Sequence, residues 1–215
     1  GMILVAGPTG CGKTTTIASM IDHINSTRGE HIVTIEDPIE FLYVDKKSIV
    51  SQREIGIDVL SWSDALRSLM RQDPDVVVVG EMRDQQTVTA AMRAAETGHL
   101  VFGTLHANNA SQTIQRLLDM FPQEERDLVR QTFALTMRAV ISQQLLPGIR
   151  RDVPRVPSVE ILINTPIVRK LIGEERESDI PSAIRAGGGE GMQDFTESLR
   201  TLVEEEYIEL KIAMQ

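Results

Sequence analysis

Residues 7–14 read Gly-Pro-Thr-Gly-Cys-Gly-Lys-Thr, which is the complete pattern of a phosphate-binding loop, G-x-x-x-x-G-K-[ST]. Glycines in such a loop let backbone N–H groups turn toward phosphate, and the helix that follows points its N-terminus at the same anion. We expect Lys13 to reach the β- and γ-phosphates and Thr14 to offer its hydroxyl to Mg²⁺. The apolar run Met2–Ala6 before the loop and the helix-like stretch after it provide the required context. The nucleotide-binding residues predicted here are Gly7, Pro8, Thr9, Gly10, Cys11, Gly12, Lys13, Thr14 and Thr15.

A carboxylate follows a second apolar run, the four consecutive valines at residues 76–79. An uninterrupted apolar run suits a strand that is buried on both faces, and ligands bind at the carboxyl edge of open α/β sheets. Nucleotide hydrolysis needs a carboxylate at that edge to polarise water and to organise Mg²⁺. Gly80 stands where the common Walker B form has an aspartate, and Glu81 comes one residue later. We predict that Glu81 is catalytic and that it holds Mg²⁺, directly or through water.

Further polar residues lie at the ends of two other predicted strands. Glu36 and Asp37 follow the apolar run at 31–35, where they could join the site or form a solvated turn before a proline. His99 and His106 flank the run at 100–104, and each is either a phosphate-sensing or proton-transferring group or a hydrogen-bonded structural residue. The four histidines and one cysteine show no metal-ligand spacing.

The amino-acid composition limits which classes of molecule the chain is expected to bind. Lys and Arg number 22 and Asp and Glu number 31, so the formal net charge is −9, which argues against nucleic acid because duplex binding depends on basic surface. Cys11 is the single cysteine, which excludes an internal disulfide and a four-cysteine zinc module and suits a reducing cytoplasm. It is either a small side chain in the loop or a thiol activated by the adjacent helix N-terminus. No apolar run approaches the roughly 20 residues of a membrane-spanning helix.

The order of elements predicts an α/β fold with a mostly parallel sheet, because β-rich apolar runs alternate with helix-like segments. The predicted strands are residues 2–6, 31–35, 76–79, 100–104 and 156–163. The predicted helices are residues 13–25, 63–71, 85–96, 110–120 and 124–144. Residues 147–157 contain three prolines and are predicted to form a turn-rich connection. We therefore predict a core domain at 1–146, followed at 147–215 by the last core strand and a small, mainly helical C-terminal region.

Four segments in this order resemble the secretion ATPase superfamily, and within it the PilT/PilU-like retraction ATPases of type IV pili. They are the phosphate loop at 7–14, Thr-Ile-Glu-Asp-Pro-Ile-Glu-Phe at 34–41, Gly-Glu-Met-Arg-Asp at 80–84 and Ala-Glu-Thr-Gly-His-Leu-Val-Phe-Gly-Thr-Leu-His at 95–106. The resemblance implies a RecA-like P-loop core that takes ATP and Mg²⁺. It also implies roles for matching residues: Lys13 and Thr14 in Walker A, Glu36 as the aspartate-box glutamate, Glu81 as the Walker B water activator, and His99 and His106 in the histidine box.

The resemblance further implies a hexameric motor in the cytoplasm, peripheral to the inner membrane at the pilus base. Its implied partners are a pilus platform protein and a paralogous motor ATPase, with no nucleic acid, and a PAS-like N-terminal domain is expected ahead of this core. Assembly-type relatives carry a four-cysteine zinc element, so a chain with only Cys11 resembles the retraction branch. Gly173 stands where retraction enzymes have the second arginine of a C-terminal motif whose first is Arg169. An accessory, nucleotide-gated PilU-like role, or another ATPase of the superfamily, is therefore kept as an alternative to a retraction motor, and a DNA translocase is disfavoured by the acidic charge.

Overall fold

The sheet is the centre of the fold in the computed structural model of the chain, which describes residues 1–69 and 71–214 apart from the Ser63 side chain. Its seven strands are β1 Met2–Ala6, β2 His31–Glu36, β3 Ile49–Glu54, β4 Val76–Val79, β5 Leu100–Leu105, β6 Met137–Arg150 and β7 Val153–Ile163. They lie in the order β3-β2-β4-β5-β1-β6-β7, and every neighbouring pair is parallel except β6 and β7. The predicted mostly parallel α/β fold is confirmed.

Helices cover both faces of this sheet. They are α1 Lys13–Thr27, α2 Trp62–Leu69, α3 Gln85–Glu96, α4 Ala110–Asp119, α5 Arg126–Thr136, α6 Pro166–Gly173, α7 Ile180–Ala186, α8 Phe195–Glu204 and α9 Leu210–Ala213. The predicted helices at 13–25, 85–96 and 110–120 are confirmed to within two residues at each end. The helix predicted at 63–71 is observed as α2, with Met70 outside the described residues. Ser61 and Asp64 cap its start, since the Asp64 N–H donates to Ser61 Oγ at 3.2 Å.

Two apolar clusters lie on opposite faces of the sheet. Val5 on β1 and Val76 and Val78 on β4 pack against α1. Leu4 and Val77, the neighbours of these residues in sequence, belong to the larger cluster on the other face. Because side chains alternate along a strand, the buried valines of β4 contact both clusters, which confirms the predicted double-sided burial.

The helix predicted at 124–144 is confirmed at residues 126–136 and is wrong beyond Thr136. A short 3₁₀ turn, Gln123–Glu125, leads into α5, which ends at Thr136, and β6 begins at the next residue. The apolar run around Val140 and Ile141 suits a buried strand as well as a buried helix, and these β-branched residues favour the strand. Here β6 fills the place beside β1, with Leu4 opposite Val140.

The turn-rich connection predicted at 147–157 is also wrong, because this stretch forms the end of the β6–β7 hairpin. Pro157 lies on β7, the edge strand, at a position whose N–H side faces away from β6, as the N–H groups of Val159 and Ile161 do, so its missing N–H costs no ladder hydrogen bond. Pro154 lies beside the irregularity in the pairing of β6 with β7. Pro147 lies on the part of β6 that extends beyond β1 and pairs with β7 alone. The strand predicted at 156–163 is confirmed and begins three residues earlier. The domain division at residue 146 stays a prediction, and β6 runs across it.

Candidate functional site

The phosphate loop connects β1 to α1, and glycines make its path possible. Gly7, Gly10 and Gly12 have φ values of 150°, 75° and 93°, which side-chain-bearing residues rarely adopt. A Cβ on Gly7 would lie 2.4 Å from the Gln143 carbonyl oxygen and 2.5 Å from Cys11 Sγ. A side chain at residue 7 would therefore be disfavoured for two reasons, the positive φ and the close approach of the loop to β6.

The start of α1 is built to receive an anion. Gly12 precedes the helix and has no side chain with which to cap it, so first-turn N–H groups are left for another acceptor. Lys13 folds over the loop, where its Nζ donates to the carbonyls of Gly7 at 2.9 Å and Pro8 at 3.0 Å. The cation and the helix N-terminus thus meet at one place, which fits the phosphates of a nucleotide.

Glu81 lies just past the end of β4 and contacts one guanidinium and one imidazole. Its carboxylate lies 2.5 Å from Arg83 Nη2 and 3.0 Å from His106 Nε2. The hydrogen bond from Arg83 is the main cause that lowers the pKa of Glu81; the charges of Arg83, His106 and Lys13 add to it, while burial opposes it. The same contact raises the pKa of Arg83. Glu81 is therefore held as a carboxylate, with both oxygens engaged.

Glu36 ends β2 and is buried. Its Oε1 accepts hydrogen bonds from Thr34 Oγ1 at 2.6 Å and from Gln52 Nε2 at 3.3 Å. Burial raises the pKa of the Tyr43 phenol to about 12, and the negative charge of nearby Glu36 adds to this effect. The carboxylate of Glu36 is thus fixed in place by side chains from β2 and β3.

These groups line one cleft of about 430 Å³ at the carboxyl edge of the sheet. Of the residues that the sequence singled out for phosphate, metal and catalysis, the structure brings five together here, which are Lys13, Thr14, Glu36, Glu81 and His106. Thr9 and Gly10 line the same cleft, and Asp37 lies beside them. Tyr43, Trp62 and Arg83, which the sequence did not single out, are among the other residues that line it. The cleft is therefore the candidate site.

His99 is not brought to this cleft. It precedes β5, whereas His106 follows β5, so the two histidines lie at opposite ends of one strand. His99 Nδ1 lies 2.9 Å from the Ala94 carbonyl and 3.0 Å from Thr97 Oγ1, contacts that suit the structural interpretation. Its role in nucleotide binding stays a prediction, without support from its position in this chain.

The remaining loop residues differ in exposure. Pro8 and Thr15 are exposed, while Cys11 is buried at 3% exposure with its sulfur packed against Gly7. Burial favours the small-side-chain interpretation of Cys11 over a reactive thiol.

A magnesium ion would find few protein ligands here. Across residues 1–69 and 71–214 there is no group of three or more His, Cys, Asp or Glu side chains that could hold a metal ion. Thr14 and Glu81 supply one hydroxyl and one carboxylate to the cleft, and Mg²⁺ characteristically takes its other ligands from phosphates and water. The donor set fits a nucleotide-bound Mg²⁺.

Gln143 is the residue that sequence reasoning missed most clearly. It lies on β6 one position past Ser142, which is paired with Ala6 at the end of β1, and it is only 2% exposed. Its Nε2 donates to the Cys11 carbonyl at 2.6 Å, and its Oε1 accepts from Thr16 Oγ1 at 2.8 Å. No local pattern signals this role, because the residues it joins are distant in sequence.

Comparisons with known proteins agree with this geometry. The family model described as type II/IV secretion system protein matches residues 1–200. The "Type IV pilus retractation ATPase PilT" of Pseudomonas aeruginosa is 51% identical over 203 residues, which cover 94% of this chain and 58% of that protein. The type IV pilus ATPase PilU of the same organism is 38% identical over 202 residues, which cover 94% of this chain and 53% of that protein.

A solved structure described as the pilus retraction motor PilT with bound ADP matches with a TM-score of 0.91 at 50% identity, covering all of this chain and 60% of that one. The chain thus spans little more than half the length of the curated relatives above. In the described parts of the chain, no helix has both the length and the apolar character needed to cross a membrane.

Proposed function

Because the chain belongs to the type II/IV secretion system protein family, we propose that it is the ATP-hydrolysing part of a motor subunit that drives type IV pilus retraction. The observation that carries this proposal is the convergence of Lys13, Thr14 and Glu81 in one cleft. Nucleotide binding needs the first two residues, and hydrolysis needs a carboxylate beside them.

In this proposal each residue of the cleft has a defined task. The loop N–H groups and Lys13 hold the phosphates. When the nucleotide binds, Lys13 leaves the carbonyls of Gly7 and Pro8 and donates to phosphate oxygens instead. Thr14 would hold Mg²⁺ through its hydroxyl, and the ion would supply positive charge against the negative charge that develops during hydrolysis. Glu81 orients the attacking water and polarises it, and His106 lies within hydrogen-bond reach of that carboxylate.

The ion pair of Glu81 with Arg83 favours a second candidate function. A carboxylate engaged by a guanidinium and an imidazole is a poor base until those contacts are loosened. The alternative is therefore a nucleotide-gated binding module of the accessory PilU type, in which turnover is slow. The higher identity to PilT, 51% against 38% for PilU, supports the retraction motor.

The proposal extends to assembly and location. We expect a homo-oligomer, a hexamer in the full-length protein, which works in the cytoplasm at the inner-membrane base of the pilus. Its partners would be the pilus platform protein and a paralogous motor ATPase. Nucleic acid is not expected as a partner, given a net charge of −9.

The test is Mg-ATP hydrolysis per subunit over a wide range of protein concentration, with Lys13→Ala as the nucleotide-binding-deficient control. Activity that rises with concentration and is lost in the control would support a site completed by assembly. Activity that stays near zero at all concentrations, and also when the expected N-terminal domain is fused to the chain, would refute the motor and leave the binding module.

A further inference from the structure

We propose that Gln143 is a positioning residue for nucleotide binding, which holds the phosphate loop in its binding shape from the neighbouring strand β6. This inference rests on the proposed function, because it assigns Gln143 to the same nucleotide site. Gln143 does not line the cleft, so it acts through the loop and not on the ligand.

The need for such a residue follows from the composition of the loop. Its glycines give the backbone many accessible conformations, and the entropy of ordering them would otherwise be lost when the ligand binds. Apart from the contacts of Lys13, the loop's own hydrogen bonds include a long one from Cys11 N–H to the Pro8 carbonyl at 3.4 Å. A side chain from outside the loop that holds it in one conformation, here called a brace, would therefore lower the entropy cost of binding.

The side chain of Gln143 provides that brace at two points. Its amide N–H₂ holds the Cys11 carbonyl, and its amide oxygen holds the hydroxyl of Thr16 in the first turn of α1. In a trans peptide the carbonyl and the next N–H point in opposite directions. Holding the Cys11 carbonyl therefore turns the Gly12 N–H away from Gln143, and it fixes the loop relative to the helix N-terminus.

The packing around Gln143 leaves little freedom. The side chain is only 2% exposed, and a Cβ on Gly12 would come within 3.1 Å of its Nε2. The backbone of Gln143 also approaches the loop, because its carbonyl oxygen would meet a Cβ on Gly7. A buried amide that satisfies two partners at short distance resists rotation, so the loop is held before any ligand arrives.

The experiment measures the dissociation constant for Mg-ADP by calorimetry, and the melting temperature without nucleotide, in matched variants. Gln143→Met keeps the size of the side chain but removes both hydrogen bonds, and Thr16→Val removes one of them. We expect the dissociation constant to rise about tenfold in Gln143→Met and several-fold in Thr16→Val. Thr16→Ser, which keeps the hydroxyl, should restore the wild-type value.

The neighbouring Gln144 is exposed and provides the control, since Gln144→Ala should bind Mg-ADP like the wild type. A purely structural role of Gln143 would lower the melting temperature yet leave the affinity of the folded protein within twofold of wild type, which would overturn the inference. If the wild type itself fails to bind Mg-ADP, the proposed function and this role of Gln143 both fall. If Gln143→Met does not fold, the comparison of Thr16→Val with Thr16→Ser decides the matter.

Discussion

A buried ion pair between α5 and the C-terminal region gives a prediction about stability that is independent of nucleotide. Arg130 Nη1 on α5 contacts Glu177 Oε1 in the 3₁₀ turn Glu177–Asp179. The two side chains are 12% and 7% exposed. The Arg130 guanidinium also donates to the Ile172 carbonyl at 3.2 Å. This cluster ties α5 to the segment that follows α6.

Replacing Glu177 by Ala should be strongly destabilising, because it leaves a buried guanidinium without its main counter-charge. Loss of one partner from a buried pair costs about 3–5 kcal/mol. For a chain of this length each kcal/mol lowers the melting temperature by roughly 2–4 °C, so we expect a decrease of about 6–20 °C. Differential scanning calorimetry at neutral pH measures it directly.

The same turn supplies the matched control. Asp179 pairs with Arg176 at 2.6 Å, but these side chains are 45% and 55% exposed. Asp179→Ala should leave the melting temperature close to that of the wild type, since exposed ion pairs contribute little. Adding Arg130→Met to Glu177→Ala should recover part of the loss, because it removes the stranded charge. Equal shifts for Glu177→Ala and Asp179→Ala would refute the reasoning.

Two further predictions concern the cleft. Glu81→Gln should leave the binding of Mg-ATP unchanged and reduce its hydrolysis by about 10²–10⁴-fold, because the amide keeps the shape of the side chain but is not a base. Calorimetric titration measures the binding and a phosphate-release assay measures the hydrolysis. Unreduced hydrolysis would contradict this role of Glu81. Cys11 should react slowly with iodoacetamide in the native protein and rapidly in urea, because its thiol is buried. Mass spectrometry measures how fast the adduct forms. Equal rates in both conditions would contradict the burial of the thiol.

The sequence was sufficient where chemistry and structure are encoded by consecutive residues. The phosphate loop, β4 and the acids at the strand ends were all predicted, because a motif or an apolar run marks each one. Parallel strands then bring their carboxyl ends to a single edge, so the gathering of Lys13, Glu36 and Glu81 followed from the predicted topology.

Other features depend on pairing that no short segment reveals. Strand β3 was missed because Ile49–Glu54 is a half-exposed edge strand with polar residues and no apolar run. The first part of β6, residues 137–144, is predicted as helix because its apolar residues fit either form, and only its place between β1 and β7 selects a strand. Gln143 contacts Cys11 across 132 positions of sequence, and that contact depends on the register of β6 against β1.

The position of β1 in the sheet has a consequence for how the protein is made. β1 precedes the other strands in the chain, yet its neighbours are β5 and β6, which follow β2, β3 and β4. At ribosomal rates of roughly 5–20 residues per second, the first strand waits on the order of ten seconds for its second neighbour. The phosphate loop therefore cannot be braced by Gln143 early in synthesis, and such distant pairing slows folding. A nascent chain should gain nucleotide affinity only after β6 has emerged, well after the loop itself.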